Sequence, residues 1–212
     1  MDENAVWQVI HRERSQLADL LETLGPDEWE HPSLCADWSV RDVAAHVIGA
    51  AELTLGRAVV DVIRARGSLP KAGHDAAKRL ARRPTQQIIA DFRRLDGSRH
   101  VLPGTTYRDA LVDVLVHFQD IAVPLGRDHQ MPLCPAHEAV QHAWRSVAFR
   151  AKRRLSGFRL EATDTDWTAG EGQTLRGPVQ ALLLLVTGRT AALALLEGDG
   201  LPALRRRIQA GW

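Results

Sequence analysis

The chain has 212 residues, 45% of them hydrophobic and 25% charged, and a formal net charge of +1. That length suits one large domain, or a domain with a small appendage, with enough apolar residues to bury a core. With a balance so close to neutral, nothing global argues for nucleic acid or an anionic membrane, and neither is expected as a partner.

Two cysteines, Cys35 and Cys134, stand far apart in unrelated contexts. They form neither a disulfide framework nor a CxxC site, which points to a reducing cytosol. The opening MDENAVWQVIHRERSQ is too charged for a signal peptide, and ALLLLV at 181–186 is too short to span a bilayer. The expectation is a soluble, cytoplasmic protein.

In residues 5–24, Val6, Val9, Ile10, Leu17, Leu20, Leu21 and Leu24 recur at helical spacing and predict an amphipathic helix ended by Gly25-Pro26. A second, long helix is predicted from Val40 to Arg66, opened by an S-x-x-D capping box of Ser39 and Asp42. Residues 67–83 are polar and basic and read as a crossover with some helical content. Thr85 to Leu95 predicts a third helix, and Pro103-Gly104 a break. Thr106-x-x-Asp109 then caps a fourth helix that runs to Ala122 before Pro124 and Gly126 stop it. Four helices with one long connection read as a four-helix bundle.

The remainder changes character. His137 to Arg154 reads as a helix with a basic end, a solvated face or a patch for an anionic ligand. GFRLEATDTDW turns Phe158, Leu160 and Ala162 inward and, with a turn at Gly170-Glu171-Gly172, predicts a short hairpin. Gly177-Pro178 opens an apolar helix through Val186, Gly188 interrupts it, and GDGLP at 198–202 is a further turn. The expected organisation is mainly α, with a bundle over 1–130 and a small α+β extension over 131–212.

The fourth helix is apolar nearly all round, yet it carries Asp113, His117 and Asp120. Asp109 is explained by its cap, whereas Asp113 lacks such a reason, and a carboxylate in apolar surroundings is costly without a cation or several donors. Asp113 and His117 are four apart and share a face. The second helix adds Asp42, explained by its cap, and His46 one turn further on. Two histidines and a carboxylate from two helices facing one core are the ligand set of a catalytic zinc-type site. The spacing by itself also fits a hydrogen-bonded structural pair. Cys35 reads as a small buried hydrophobe rather than a reactive thiol, and Trp38 as packing rather than substrate stacking. His100, His129, His137 and His142 show no ligand spacing.

The order WSVRDVAAH at 38–46 followed by DVLVHFQDIAVPLG at 113–126 resembles the DinB-like superfamily and, within it, the mycothiol-dependent maleylpyruvate isomerase family of actinobacteria. LEATDTDWTAGEG at 160–172, GPVQALLLLVTGR at 177–189 and GDG at 198–200 look like that family's C-terminal extension. The resemblance implies a DinB-like four-helix bundle holding a divalent metal, Zn²⁺ or a similar ion, on His46, Asp113 and His117. Some members carry Glu where this chain has Asp113, so Asp120 either orients the His117 ring or serves as a ligand itself. It further implies that the metal activates the thiol of mycothiol. The thiolate adds to the cis double bond of maleylpyruvate, the bond rotates, and elimination gives the trans product, whereas related members conjugate electrophiles. Arg189, in TGR, matches a motif of the extension and would meet substrate carboxylates, or else cap its own helix.

The expectation is therefore an isomerase or S-transferase, monomer or homodimer, whose partners are a low-molecular-weight thiol and a small electrophile. Two alternatives stand beside it: a DinB-like protein that binds a small ligand without catalysis, and a metal hydrolase using bound water.

Overall fold

The computed structural model describes residues 1–102 and 104–212, so the break expected at Pro103 lies outside the described residues. Two compact units are present, Asp2–His129 and Gln130–Trp212, the latter together with Met1. The first contains α1 (Glu3–Glu22), the short α2 (Pro26–Trp29), α3 (Val40–Glu52), α4 (Leu55–Arg64), α5 (Leu69–Leu80), α6 (Thr85–Arg94) and α7 (Tyr107–Ala122). Helices α1, α3, α6 and α7 form the bundle, since α1 and α3 each pack on both α6 and α7. Leu17, Leu21, Val43, Val47, Phe92, Phe118 and Ile121 fill its core.

Capping chemistry sets the two helix starts that matter for the site. The Ser39 side chain and the Asp42 carboxylate exchange hydrogen bonds with each other's backbone N–H at the start of α3. Thr106 and Asp109 form the corresponding box on α7. Each box satisfies N–H groups that a helix end otherwise leaves unpaired.

The expected long second helix is in fact two. Leu53 leaves the helical region at φ −68°, ψ 114°, and the Thr54 side chain caps a new start by accepting from Arg57 N–H. A residue suited to capping has outweighed a continuous apolar pattern. The crossover at 67–83 is more ordered than expected: α5 is capped by Ser68, carries Pro70 in its first turn, and packs on α3 and α4. Lys78 on α5 reaches Asp42 at 2.7 Å, tying this helix to the start of α3.

The second unit contains α8 (Leu133–Arg145), α9 (Ala151–Arg154), β1 (Phe158–Ala162), β2 (Thr168–Gly170), β3 (Gln173–Gly177), α10 (Val179–Val186), a 3₁₀ helix (Thr190–Leu195) and α11 (Leu201–Gln209). The helix expected over 137–154 is broken after Arg145, and Arg150 takes a left-handed backbone at φ 50° before α9. A hairpin is present as antiparallel β1 and β2, but its turn lies between Ala162 and Thr168. The expected turn at Gly170-Glu171-Gly172 instead leads to β3, which joins β1 in parallel on its other side. Gly170-Glu171-Gly172 carries the chain across the end of β1 in two steps no side chain would allow. A Cβ on Gly170 would lie 2.3 Å from the Phe158 carbonyl oxygen, and one on Gly172 would lie 2.1 Å from that of Gly157. α10 is buried along nearly its whole length and packs on α8 and the sheet. Among the described residues no helix is long and apolar enough to cross a membrane.

Replacing Asp42 with Ala is expected to lower stability by roughly 0.5–2 kcal/mol, as for other lost caps, in urea denaturation. Bound metal should be unchanged, and a chain that folds normally but loses metal would make Asp42 part of the site.

Candidate metal centre

Helices α3 and α7 pack against one another, and the chemistry sits where they do. His46 follows Asp42 by one turn of α3, and Asp113 and His117 are one turn apart on α7. Asp113 Oδ1 lies 3.5 Å from His46 Nε2 and 3.5 Å from His117 Nε2. The three ligand atoms lie within 4.8 Å of one another.

Those separations are long for hydrogen bonds but suited to a shared ion. Ligands about 2.1 Å from a tetrahedral metal are about 3.4 Å apart. The donor set, two imidazole nitrogens and a carboxylate oxygen, is that of zinc-like ions. On geometry and chemistry the residues fit the metal that the family resemblance implies.

The His117 ring is held from behind. Its Nδ1 lies 2.8 Å from Asp120 Oδ2, and Asp120 is fully buried. The carboxylate accepts the Nδ1–H, which orients the ring so that Nε2 faces Asp113. Cys35 Sγ donates to the same Oδ2 at 3.1 Å, and the Asp120 carbonyl accepts from Leu34 N–H at 3.1 Å. A second possible donor group, Cys35, His117 and Asp120, also lies together. There the facing atoms are at hydrogen-bond distance, so they satisfy one another, and the free Nε2 side remains the better receptor.

Trp38 packs over both rings, its centroid 5.0 Å from that of His46 and 6.5 Å from that of His117. Its indole N–H donates to His74 Nδ1 at 2.8 Å, which ties α5 to the centre. A cavity of about 220 Å³ opens beside the triad, lined by His46, Asp113 and Arg14, by apolar residues such as Ala51 and Leu102, and by the polar His100 and Asp109. A larger one of about 710 Å³ is lined in part by Cys35, Trp38, Asp42 and Lys78.

Burial opposes charge on His117, but Asp113 first, then Asp120 and Cys35, outweigh it and hold the ring's pKa up at about 10 in the metal-free chain. Burial likewise works against the Asp113 carboxylate, while His117, His46 and Arg14 together draw its pKa below the ordinary value.

Sequence reasoning singled out His46, Asp113, His117 and Asp120, and the structure brings these four together. Arg189 lies in the other unit, where its Nη1 donates to the Thr187 carbonyl just past α10 at 2.9 Å. His129 faces buried Glu13 at 3.1 Å and stacks on Phe118, and His100 Nε2 meets the Leu53 carbonyl. Arg14 and His74 were missed, and packing was preferred for Cys35 over a reactive thiol and for Trp38 over substrate stacking. Arg14 and Glu13 did carry a signal, because both fall within the apolar stripe between Ile10 and Leu17.

The fold and the site define a class: a four-helix-bundle protein with a candidate two-histidine, one-carboxylate metal centre. Residues 10–102 match the model of the mycothiol maleylpyruvate isomerase N-terminal domain, a span that includes His46 and ends before α7. The crystal structure of the mycothiol-dependent maleylpyruvate isomerase is 13% identical, with a TM-score of 0.64 over 94% of this chain and 93% of that one. A histidine-to-alanine mutant of that isomerase gives the same TM-score and coverage at 12% identity. No curated protein matches. The chain thus resembles the mycothiol-dependent maleylpyruvate isomerase family in the sequence of its first unit and in fold along nearly its whole length.

In chelator-treated protein, His117 is expected to stay protonated through neutral pH and to titrate near 10, read from its ring nitrogens by NMR. Asp113→Asn should move that titration down. A raised pKa stabilises the fold fully below the ordinary value of 6.5 and loses this contribution as pH rises through about 10. The metal-free chain should therefore lose thermal stability across that window, and Asp113→Asn should flatten the loss.

Proposed function

We propose that the chain is a divalent-metal-dependent enzyme of thiol chemistry, using mycothiol either to isomerise a maleylpyruvate-like substrate or to transfer the thiol to a small electrophile. The observation that carries this reading is the placing of His46 Nε2, Asp113 Oδ1 and His117 Nε2 at ligand spacing beside a cavity. The match of residues 10–102 to a domain described by mycothiol supports the choice of thiol. Zn²⁺ is the ion the donor set favours, and three protein ligands leave a position open. When bound there, it would supply the positive charge that lowers the pKa of a thiol brought against it.

The chain's own residues prepare that site. Asp120 keeps the Nδ1 proton of His117 in place and so keeps Nε2 available. Trp38 covers the two imidazoles and limits water on that side. Arg189 is included as a cation for substrate carboxylates on the family resemblance alone, and Arg189→Gln should then raise KM more than it lowers kcat. Two cysteines in unrelated sequence contexts fit a reducing cytosol, and the partners proposed are small molecules rather than nucleic acid or a membrane surface.

Protein purified without chelator is expected to hold about one divalent ion per chain, with His46→Ala and His117→Ala each losing it, by elemental analysis. Binding should weaken as pH falls, because the ligands must shed protons. A wild type that stays metal-free in added Zn²⁺ favours a binding protein without catalysis.

The thiol is tested with the cobalt-substituted chain. Mycothiol should generate a sulfur-to-cobalt charge-transfer band that saturates at one equivalent per site and releases a proton at neutral pH. Glutathione should bind more weakly, lacking the sugar-bearing part. Conversion of maleylpyruvate to its trans isomer then identifies an isomerase, and consumption of other electrophiles alone a transferase. Ester or amide cleavage with no thiol band would replace this reading with a hydrolase.

A further inference from the structure

Beside the candidate centre lies a buried positive charge that the bundle leaves unanswered. Arg14, on α1, is only 6% exposed. Among the described residues its guanidinium makes one hydrogen bond, from Nη1 to the Ser98 carbonyl at 3.3 Å, and its Nε is buried without an acceptor. No described carboxylate lies within 4.0 Å of it, whereas Arg79 has Asp61, Arg83 and Arg94 share Asp91, and Arg93 has Asp19 and Glu22. Even the adjacent Glu13 is turned to His129.

A guanidinium stays charged at any ordinary pH, and an unpaired buried charge is among the costlier features a fold can keep. Burial draws the Arg14 pKa below its ordinary value, and Asp113 is the group that opposes this. The same guanidinium lines the cavity of about 220 Å³ that also exposes His46 and Asp113. That volume lies below the usual range of drug-sized pockets. It suits an acid of a few carbon atoms and is too small for a sugar-bearing thiol. Its other walls are mixed: Ala51, Leu102 and Ala110 suit a short carbon skeleton, while His100, Thr105 and Asp109 are polar, the Asp109 carboxylate already accepting from the Thr106 N–H and hydroxyl.

We infer that Arg14 is the anion receptor of the centre, taking a carboxylate of a small acid so that the rest of the molecule lies against His46 and Asp113. A carboxylate supplies the acceptor that the guanidinium lacks, in the geometry its planar fork prefers. The inference names the substrate class of the site proposed above and rests on that reading for the chemistry, but not for the binding. It places an anion subsite within the first unit, on α1, independently of Arg189.

The test is calorimetric titration of the full chain with maleate, and with its neutral dimethyl ester as control. Wild type, Arg14→Met and Arg14→Lys are compared, each zinc-loaded and chelator-treated. Maleate should bind Arg14→Met on the order of 30-fold more weakly than wild type, and Arg14→Lys in between, since lysine keeps the charge without the fork. The ester should not distinguish the three. The loss should persist after chelation, which separates Arg14 from direct ligation of a metal by the carboxylate. Arg14→Met should also melt no lower than wild type, because it removes an unpaired charge and keeps the bulk.

A merely structural arginine would show the reverse: a lowered Tm with maleate affinity retained. Wild-type affinity in either folded variant, or no maleate binding to wild type, overturns the inference, and the lysine variant decides should the methionine variant not fold. The cobalt–thiol band of wild type reports the proposed function separately. Its absence together with Arg14-dependent maleate binding would sink the thiol reading alone, and its presence with Arg14-independent binding would sink this one alone.

Discussion

The arrangement depends on one hydrogen bond, that from His117 Nδ1 to Asp120 Oδ2 at 2.8 Å inside the bundle. A fully buried carboxylate must be paired to be tolerated, and Asp120 is paired on two sides. His117 donates to it from its own helix, and Cys35 donates to it from the loop before α3. The same residue's carbonyl takes the Leu34 N–H. The loop is therefore fastened to α7 at its side chain and at its backbone. Ser33 Oγ closes the loop on the Trp38 carbonyl at 2.8 Å, and Ser39 starts α3 directly afterward. His46 thus stands where it does because the start of its helix is referenced, through a few short bonds, to the helix carrying the other two donors.

Helix α5 completes the enclosure by polar contacts as well as by buried Ala72 and Ala77. His74 accepts the Trp38 indole N–H, and Lys78 pairs with Asp42. Lys78 is 41% exposed, so its ion pair contributes little net stability. Its effect is positional: it keeps α5 over the capped start of α3 and fixes the indole that lies on the imidazoles. Two polar bridges one turn apart on α5 give the indole a defined plane, which a sliding apolar contact would not.

Periodicity and capping made the bundle legible in the sequence. The boxes at Ser39/Asp42 and Thr106/Asp109 are local, and the structure forms both. What periodicity could not show were interruptions decided by single residues or by tertiary packing. Thr54 ends one helix and begins another within an unbroken apolar pattern, and α5 is held by partners on α3. Strand β3 pairs in parallel with β1 only because glycines let the chain pass close to the Gly157 and Phe158 carbonyls, a contact that no alternation of residues encodes. The triad was legible for a similar reason to the caps, since Asp113 and His117 offend the apolar face they occupy. Arg14 offends its own face on α1 in the same way, but an arginine so often extends to solvent along its aliphatic stem that the pattern alone says little.

The electrostatics of the site explain why a fold would tolerate that offence. Asp113 faces two imidazoles and feels the Arg14 guanidinium, and it is the group that most favours charge on His117. A divalent cation on the triad would claim the carboxylate and expel the ring proton. Arg14 would then have lost much of the influence of Asp113, the carboxylate that supports its charge, in a cavity whose remaining walls mix apolar residues with His100, Thr105 and Asp109. A pocket in that condition is small and carries added positive charge at the centre, and the species that relieves it is a compact anion. The cost of keeping Arg14 buried in the free protein becomes binding selectivity in the loaded one, because a neutral molecule of the same shape leaves the charge unanswered.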